Sequence, residues 1–118
     1  MLGLKIEYEI DNFSDILLVS EHNLPNNKLI GVYFLYNSNK EVIYVGKSIT
    51  SIRGRLRNHL FVPTPAAYDE YRNNKILENR QFIKYFSYVE IHKEFIDMVE
   101  RYLINSLKPI NNIEFNYK

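Results

Sequence analysis

Tyr33 and Tyr44 each stand beside a glycine, in Gly31-Val32-Tyr33 and Tyr44-Val45-Gly46, and Lys47 follows the second triplet directly. Behind them come Arg53, Arg55, Arg57 and His59. Together these residue types can handle a phosphodiester. A phenol or an imidazole can accept a proton, and a guanidinium is a planar fork that matches phosphate oxygens in a bidentate pair. A tyrosine in a strand is ordinarily a packing residue; here the company marks these two. A phenol near its reference pKa of ~10 is a poor base at neutral pH, so a cation close by is needed to lower it. Lys47 is the cation nearest in sequence.

The elements that must position these groups can be read from periodicity. Residues 29–36 (LIGVYFLY) are apolar and aromatic, and 41–45 (EVIYV) return after Asn37-Ser38-Asn39-Lys40, so the pair reads as a hairpin with a loop of about four residues. Gly46 then allows close approach of another group to the backbone. Ile52, Leu56 and Leu60 lie four apart on one stripe of a helix that Pro63 and Pro65 stop. Arg55 and His59 are also four apart, so they project from one side and could grip a single phosphate. Residues 81–91 read as a third strand. Residues 94–107 read as the clearest helix, with Phe95, Met98 or Val99, Tyr102 or Leu103, and Leu107 as its apolar face. Glu100 sits at the edge of that face with Ile104. A carboxylate tucked against a core edge can hold Mg²⁺, which takes one or two protein carboxylates and fills its shell with water and phosphate oxygens. Glu90, Glu94 and Asp97 compete with it on spacing alone.

Before the hairpin, residues 4–10 read as a short strand, 13–22 as a short helix capped by Asp11-Asn12, and 24–28 as a loop. We take 1–28 as an N-terminal extension packed on or beside a domain of residues 29–118. Between Pro65 and the third strand a short helix fits near 66–73. The last residues, 113–118, read as an edge strand or packing segment.

Composition narrows the class. A chain of 118 residues, 46% hydrophobic, reads as one domain with one core. With no cysteine, disulfides and thiolate metal sites are excluded, which fits a cytoplasmic setting. There is no apolar run long enough for a membrane span, and the N-terminus carries charges where a signal peptide needs an apolar block. The formal charge is only +1, yet Lys47, Arg53, Arg55 and Arg57 crowd four of the 15 basic residues into one stretch free of acids. Those four would neutralise at most about four phosphates, a salt slope of about −3 to −4 on duplex DNA.

On these residues the chain resembles the GIY-YIG nuclease superfamily. The triplets stand as Gly31-Val32-Tyr33 and Tyr44-Val45-Gly46, with valine for isoleucine in both. Lys47 follows as in many members. The helix arginine matches Arg55, with one extra residue in Ser48–Ser51 that keeps Arg53 and Arg57 open as alternatives. His59 matches a position one turn later, and Glu100 in VERYLINSLKPINN matches the metal-binding glutamate. Pro109 and Asn112 match a terminal proline and asparagine, with Asn111 as the fallback. The match covers roughly residues 30–112.

The resemblance implies a small α/β (α+β) domain, a central antiparallel sheet of three strands flanked by helices. It implies a metal-dependent DNA endonuclease with one active site using Mg²⁺ or Mn²⁺. Glu100 would hold the metal. Arg55 would neutralise charge on the phosphate. Tyr33, acidified by Lys47 and hydrogen-bonded to His59, would be general base, with Tyr44 the runner-up. Asn112 would position backbone or phosphate. Gly46 would keep the strand end clear for DNA, which Lys47, Arg53, Arg55 and Arg57 would contact. A homodimer or a separate partner would supply specificity. The other classes are a catalytically inactive nucleic-acid-binding module of the same fold, a nuclease for single-stranded DNA or RNA, and a plain structural protein.

Overall fold

The computed structural model describes residues 13–61 and 80–110. Its centre is a four-stranded sheet, β1 (Leu17–Leu18), β2 (Gly31–Tyr36), β3 (Val42–Ser48) and β4 (Tyr85–Glu90), in the order β1-β4-β2-β3. Every neighbouring pair is antiparallel. Among the described residues two helices cover it, α1 (Ile52–Leu60) and α2 (Ile96–Leu107).

β2 is buried along its whole length, as befits a central strand with a helix on each face. Alternation of side chains then sorts the core in two. Val32, Phe34 and Tyr36 join Val45, Val89 and the α2 residues Ile96, Val99, Leu103 and Ile104. Tyr33 and Leu35 join Tyr44, Phe86 and the α1 residues Ile52, Leu56 and Leu60. The aliphatic stripe expected of α1 is the one that packs.

Local chemistry sets the ends of these elements. In the hairpin loop, the Asn37 side-chain oxygen accepts from the amides of Asn39 at 2.9 Å and Glu41 at 3.0 Å, and Lys40 takes φ 62°. After β3, the Ser48 hydroxyl accepts from the Ser51 amide at 2.8 Å, and the Ser51 hydroxyl caps α1 by accepting from the Gly54 amide at 3.1 Å. The amide of Ile52 donates to the Leu29 carbonyl at 2.9 Å, so the start of α1 is tied to the start of β2. α2 ends at Lys108 in a left-handed cap with φ 47°, directly before Pro109. Gly31 has φ 150°, and a Cβ there would lie 2.1 Å from the Val89 carbonyl oxygen, so only glycine fits between β2 and β4.

The structure corrects three expectations. Residues 13–22 are not a helix. Phe13 bridges Val89, the Ser14 amide donates to the Tyr88 carbonyl at 2.8 Å, and Leu17–Leu18 pair with Phe86 and Tyr85. This segment adds a short fourth strand to the three-stranded centre. A ten-residue helix rich in Ser and Asp is marginal on its own, whereas the open edge of β4 offers backbone partners at once. The third strand starts at Tyr85, because Arg80–Phe82 form a turn of 3-10 helix. The buried face of α2 is turned toward Glu100: Ile96, Val99, Glu100, Leu103 and Ile104 are buried, while Met98 and Leu107 are exposed. The expected strand at 4–10, the helix near 66–73 and the segment 113–118 lie outside the described residues.

Candidate active site

Register decides which polar groups meet. Tyr33 lies opposite Gly46, and Val32 opposite Lys47. Tyr33, Tyr44 and Gly46 therefore share the α1 face, and Lys47 points to the α2 face.

On the α1 face, Tyr33, Tyr44 and His59 form one buried aromatic cluster. The Tyr33 hydroxyl and His59 Nε2 are 2.8 Å apart. The Tyr44 ring meets His59 edge-on, with centroids 5.9 Å apart, and Tyr33 at 6.2 Å. His59 reaches the strand because it stands one turn after Arg55 on α1 and next to the packing stripe. Gly46 lies underneath: a Cβ there would come within 2.4 Å of Tyr33 Cζ and 2.8 Å of Tyr44 Cε2. This corrects the expectation that Gly46 clears a path for DNA. It is buried, and the space its missing side chain leaves is filled by the two phenols. Arg80 fastens the far end of α1: its Nε donates to the His59 carbonyl at 2.8 Å and a terminal nitrogen to the Asn58 carbonyl at 3.3 Å. A charged fork on otherwise unsatisfied C-terminal carbonyls holds the His59 backbone in place.

On the α2 face, Lys47 forms an ion pair with Asp97 and lies 3.7 Å from Glu100. Asp97 and Glu100 stand one helical turn apart, so one ammonium serves both. The Glu100 side chain is 11% exposed and that of Asp97 66% exposed, so the first carboxylate is set into the protein and the second into solvent. Lys47 holds the Asp97 carboxyl below the usual carboxylate range, by hydrogen bonding first and by charge second. Lys47, expected to acidify Tyr33, is engaged by carboxylates on the α2 face. The Tyr33 hydroxyl meets His59.

A groove of about 460 Å³ opens where the end of β3 meets the starts of α1 and α2. Lys47, Ser48, Ile49, Thr50, Arg55, Lys93, Glu94, Ile96 and Asp97 line it. Of the three arginines, Arg55 alone is among the residues lining this groove, with its Nε buried. Arg53 instead donates to the Pro25 carbonyl at 3.2 Å, and Arg57 is exposed away from the lining. A spacing of two residues turns a helical side chain through more than half a circle, so the three could not share one groove. Arg53 and Arg57, expected to contact nucleic acid with Arg55, do not line this groove. Asn112 lies outside the described residues. Asp97, Lys93 and Arg80 are the additions. Asp97 was visible as a carboxylate one turn before Glu100; nothing in the spacing marks Lys93 or Arg80.

Among the described residues, no three His, Cys, Asp or Glu side chains cluster as a metal cage. Glu100 offers one hard oxygen donor group, nearly buried, beside a polar groove. That donor set fits Mg²⁺ or Mn²⁺ held by one carboxylate with water and phosphate oxygens completing the shell. It does not fit a metal that needs a full protein cage.

Known proteins share the sequence pattern and the fold. The sequence pattern of the GIY-YIG catalytic domain matches residues 29–114. The chain belongs to the GIY-YIG nuclease family. It is 34% identical over 103 residues to the UvrABC system protein C of Wolinella succinogenes, a match that covers 85% of this chain and 16% of that protein. The chain thus spans about a sixth of the length of that curated relative. In fold it is similar to the GIY-YIG N-terminal endonuclease domain of UvrC from Thermotoga maritima bound to magnesium, with TM-score 0.57, 23% identity, and 75% of this chain and 89% of that one covered. An asparagine-to-alanine point mutant of the same domain, bound to its catalytic divalent cation, matches with TM-score 0.56 and 22% identity over 75% of this chain and 87% of that one. Residues 29–114 are accordingly a GIY-YIG endonuclease domain of α+β fold. Among the described residues, no helix is long and apolar enough to cross a membrane.

Proposed function

We propose that this GIY-YIG endonuclease domain hydrolyses DNA phosphodiester bonds with the help of a divalent metal. One observation carries the reading: α1 presents Arg55 to the groove and, one turn on, His59 to the Tyr33 hydroxyl at 2.8 Å. Charge neutralisation and proton transfer are thereby built on a single rigid element. Glu100 would hold Mg²⁺ or Mn²⁺, which supplies Lewis acidity toward a phosphate oxygen when bound. Arg55 neutralises the charge that builds on the phosphate during attack. Tyr33 accepts a proton from the attacking water as its own passes to His59 Nε2, so the phenol stays neutral and the proton ends on His59 as an imidazolium. Neutral His59 with Nε2 as acceptor is the form this requires. Tyr44 holds the imidazole edge-on. Asn112 positions backbone or phosphate. A single site makes one cut per encounter, and a second copy of this chain or a separate protein supplies the second cut and the choice of target. The name of the Wolinella relative, a component of a multi-protein system, supports a separate partner.

Supercoiled plasmid and single-stranded circular DNA, incubated with Mg²⁺, Mn²⁺ or EDTA, test the reading. Nicking that needs metal and disappears in Glu100→Ala is expected. A Lewis-acid contribution of several kcal/mol translates into a loss on the order of 10³-fold. Folded protein that cuts neither substrate under any metal would favour the inactive binding module instead.

A further inference from the structure

The charges that line the groove, taken with Glu100 behind it, balance. Lys47, Arg55 and Lys93 supply three positive groups; Glu94 and Asp97 supply two negative ones, and Glu100 lies 3.7 Å behind Lys47 as the third. A groove for a polyanion should carry surplus positive charge, because each neutralised phosphate releases counterions and tightens binding. Among the described residues the lining of this one carries a surplus of a single charge, and none once Glu100 is counted. Its foremost cation, Lys47, is moreover engaged on one side by Asp97 and approached on the other by Glu100.

We propose that Asp97 is a positioning residue that occupies Lys47 in the metal-free groove, so that a nucleic acid is held tightly only together with a divalent cation. The inference rests on the nuclease reading and adds to it an order of assembly. Asp97 suits the part. Its side chain is 66% exposed, so it can swing away at little cost, and the Lys47 ion pair lowers its carboxyl pKa. Glu100, nearly buried, cannot swing away in the same manner. A dication at Glu100 turns a neutral groove positive and repels the Lys47 ammonium from that carboxylate. Lys47 is then available to a phosphate, and Asp97 is left to solvent. Metal and nucleic acid thereby bind with positive coupling, and by linkage each tightens the other by the same factor.

The test is equilibrium binding of a short fluorescein-labelled DNA duplex, in EDTA and in Ca²⁺ at matched ionic strength. Wild type, Asp97→Asn and Asp15→Asn are compared. Asp15 is exposed and precedes β1, at the opposite edge of the sheet from β3, so its variant repeats the charge change away from the groove. Ca²⁺ should tighten wild-type binding. Asp97→Asn should bind about threefold to fivefold more tightly than wild type in EDTA, the factor an exposed ion pair of this kind can withhold. The gain from Ca²⁺ should shrink by the same factor, and Asp15→Asn should match wild type. In a second readout, Mn²⁺ affinity measured by electron paramagnetic resonance should rise on adding duplex in wild type, and rise less in Asp97→Asn. Far-UV circular dichroism confirms that each variant is folded.

If Asp97→Asn binds in EDTA no better than wild type, the proposal fails. It fails equally if Asp15→Asn gains as much, or if Ca²⁺ leaves wild-type binding unchanged. A wild type that nicks plasmid but gives any of these results overturns the Asp97 inference alone. A wild type that neither binds duplex nor nicks overturns the nuclease reading and this inference with it.

Discussion

The two faces of the sheet solve different problems with residues one position apart. Behind α1, Tyr33, Tyr44 and His59 are buried and matched by a 2.8 Å hydrogen bond and ring contacts. Behind α2, Lys47, Asp97 and Glu100 are charged, and two of the three are open to water. Proton transfer needs fixed distances, which a packed core provides at the cost of adaptability. Binding an ion and a polyanion needs charges that can exchange partners, which a core forbids because an unpaired buried charge is too costly. The strand pair β2–β3 separates the two environments by nothing more than its pleat. Arg55, which leaves the α1 side to line the groove, is the link between them.

Disturbing the packed face should therefore cost more than disturbing the exposed ion pair of the wet one. Tyr33→Phe removes the hydroxyl that His59 meets. A lost proton-transfer group lowers the cleavage rate about 10²–10⁴-fold, and a buried imidazole nitrogen left unsatisfied costs about 1–3 kcal/mol. Single-turnover nicking and urea unfolding measure the two parts. A variant that cuts at the wild-type rate would reduce the Tyr33–His59 pair to packing.

Gly46→Ala comes next. Its Cβ would press on Tyr33 Cζ at 2.4 Å and on the hydroxyl oxygen at 2.5 Å, and the phenol, itself fully buried, has little room to retreat. Overpacking of this kind costs about 1–3 kcal/mol, and the displaced hydroxyl should slow cleavage while leaving DNA affinity near wild type. Loss of affinity with an unchanged rate would return Gly46 to the substrate-contact role that its burial argues against.

The smallest effect belongs to the wet face and carries a sign. Asp97 has its folded pKa below the ordinary value of 3.8, so the Lys47 pair adds stability above that value. The contribution is lost as pH falls through the depressed folded pKa. After screening, an exposed pair of this type contributes about 0.2–1 kcal/mol. Thermal unfolding of wild type and Asp97→Asn should differ slightly at neutral pH, differ less in high salt, and converge in acid below the carboxylate range. A difference that persisted in acid would place the stabilising contact elsewhere.

Much of this was legible before any coordinates. The hairpin of β2 and β3, the stripe Ile52-Leu56-Leu60 and the long final helix follow from residue types at short spacing, while the pairing of Tyr33 with His59 comes from the family resemblance. The residues 13–22 were misread because a local pattern of Ser, Asp and apolar residues suits a weak helix, and the competing partner, β4, lies some seventy positions away in the chain. The face of α2 was misplaced by part of a turn for a related reason. Met98 and Leu107 are as apolar as Val99 and Ile104, and only the shape of the sheet says which of them it accepts.

The sequence by itself determined the identities and the local geometry: which residues could move a proton, which could hold charge, and which stood one turn apart on a helix. Only the tertiary structure decided sides and partners. Lys47 follows Gly46 directly, yet the register Tyr33–Gly46 and Val32–Lys47 sends it away from the tyrosines and toward Asp97 and Glu100. The physical reason is that side chains in a strand alternate with period two, so neighbours in sequence occupy opposite environments, and which environment each receives depends on pairings and helices far along the chain.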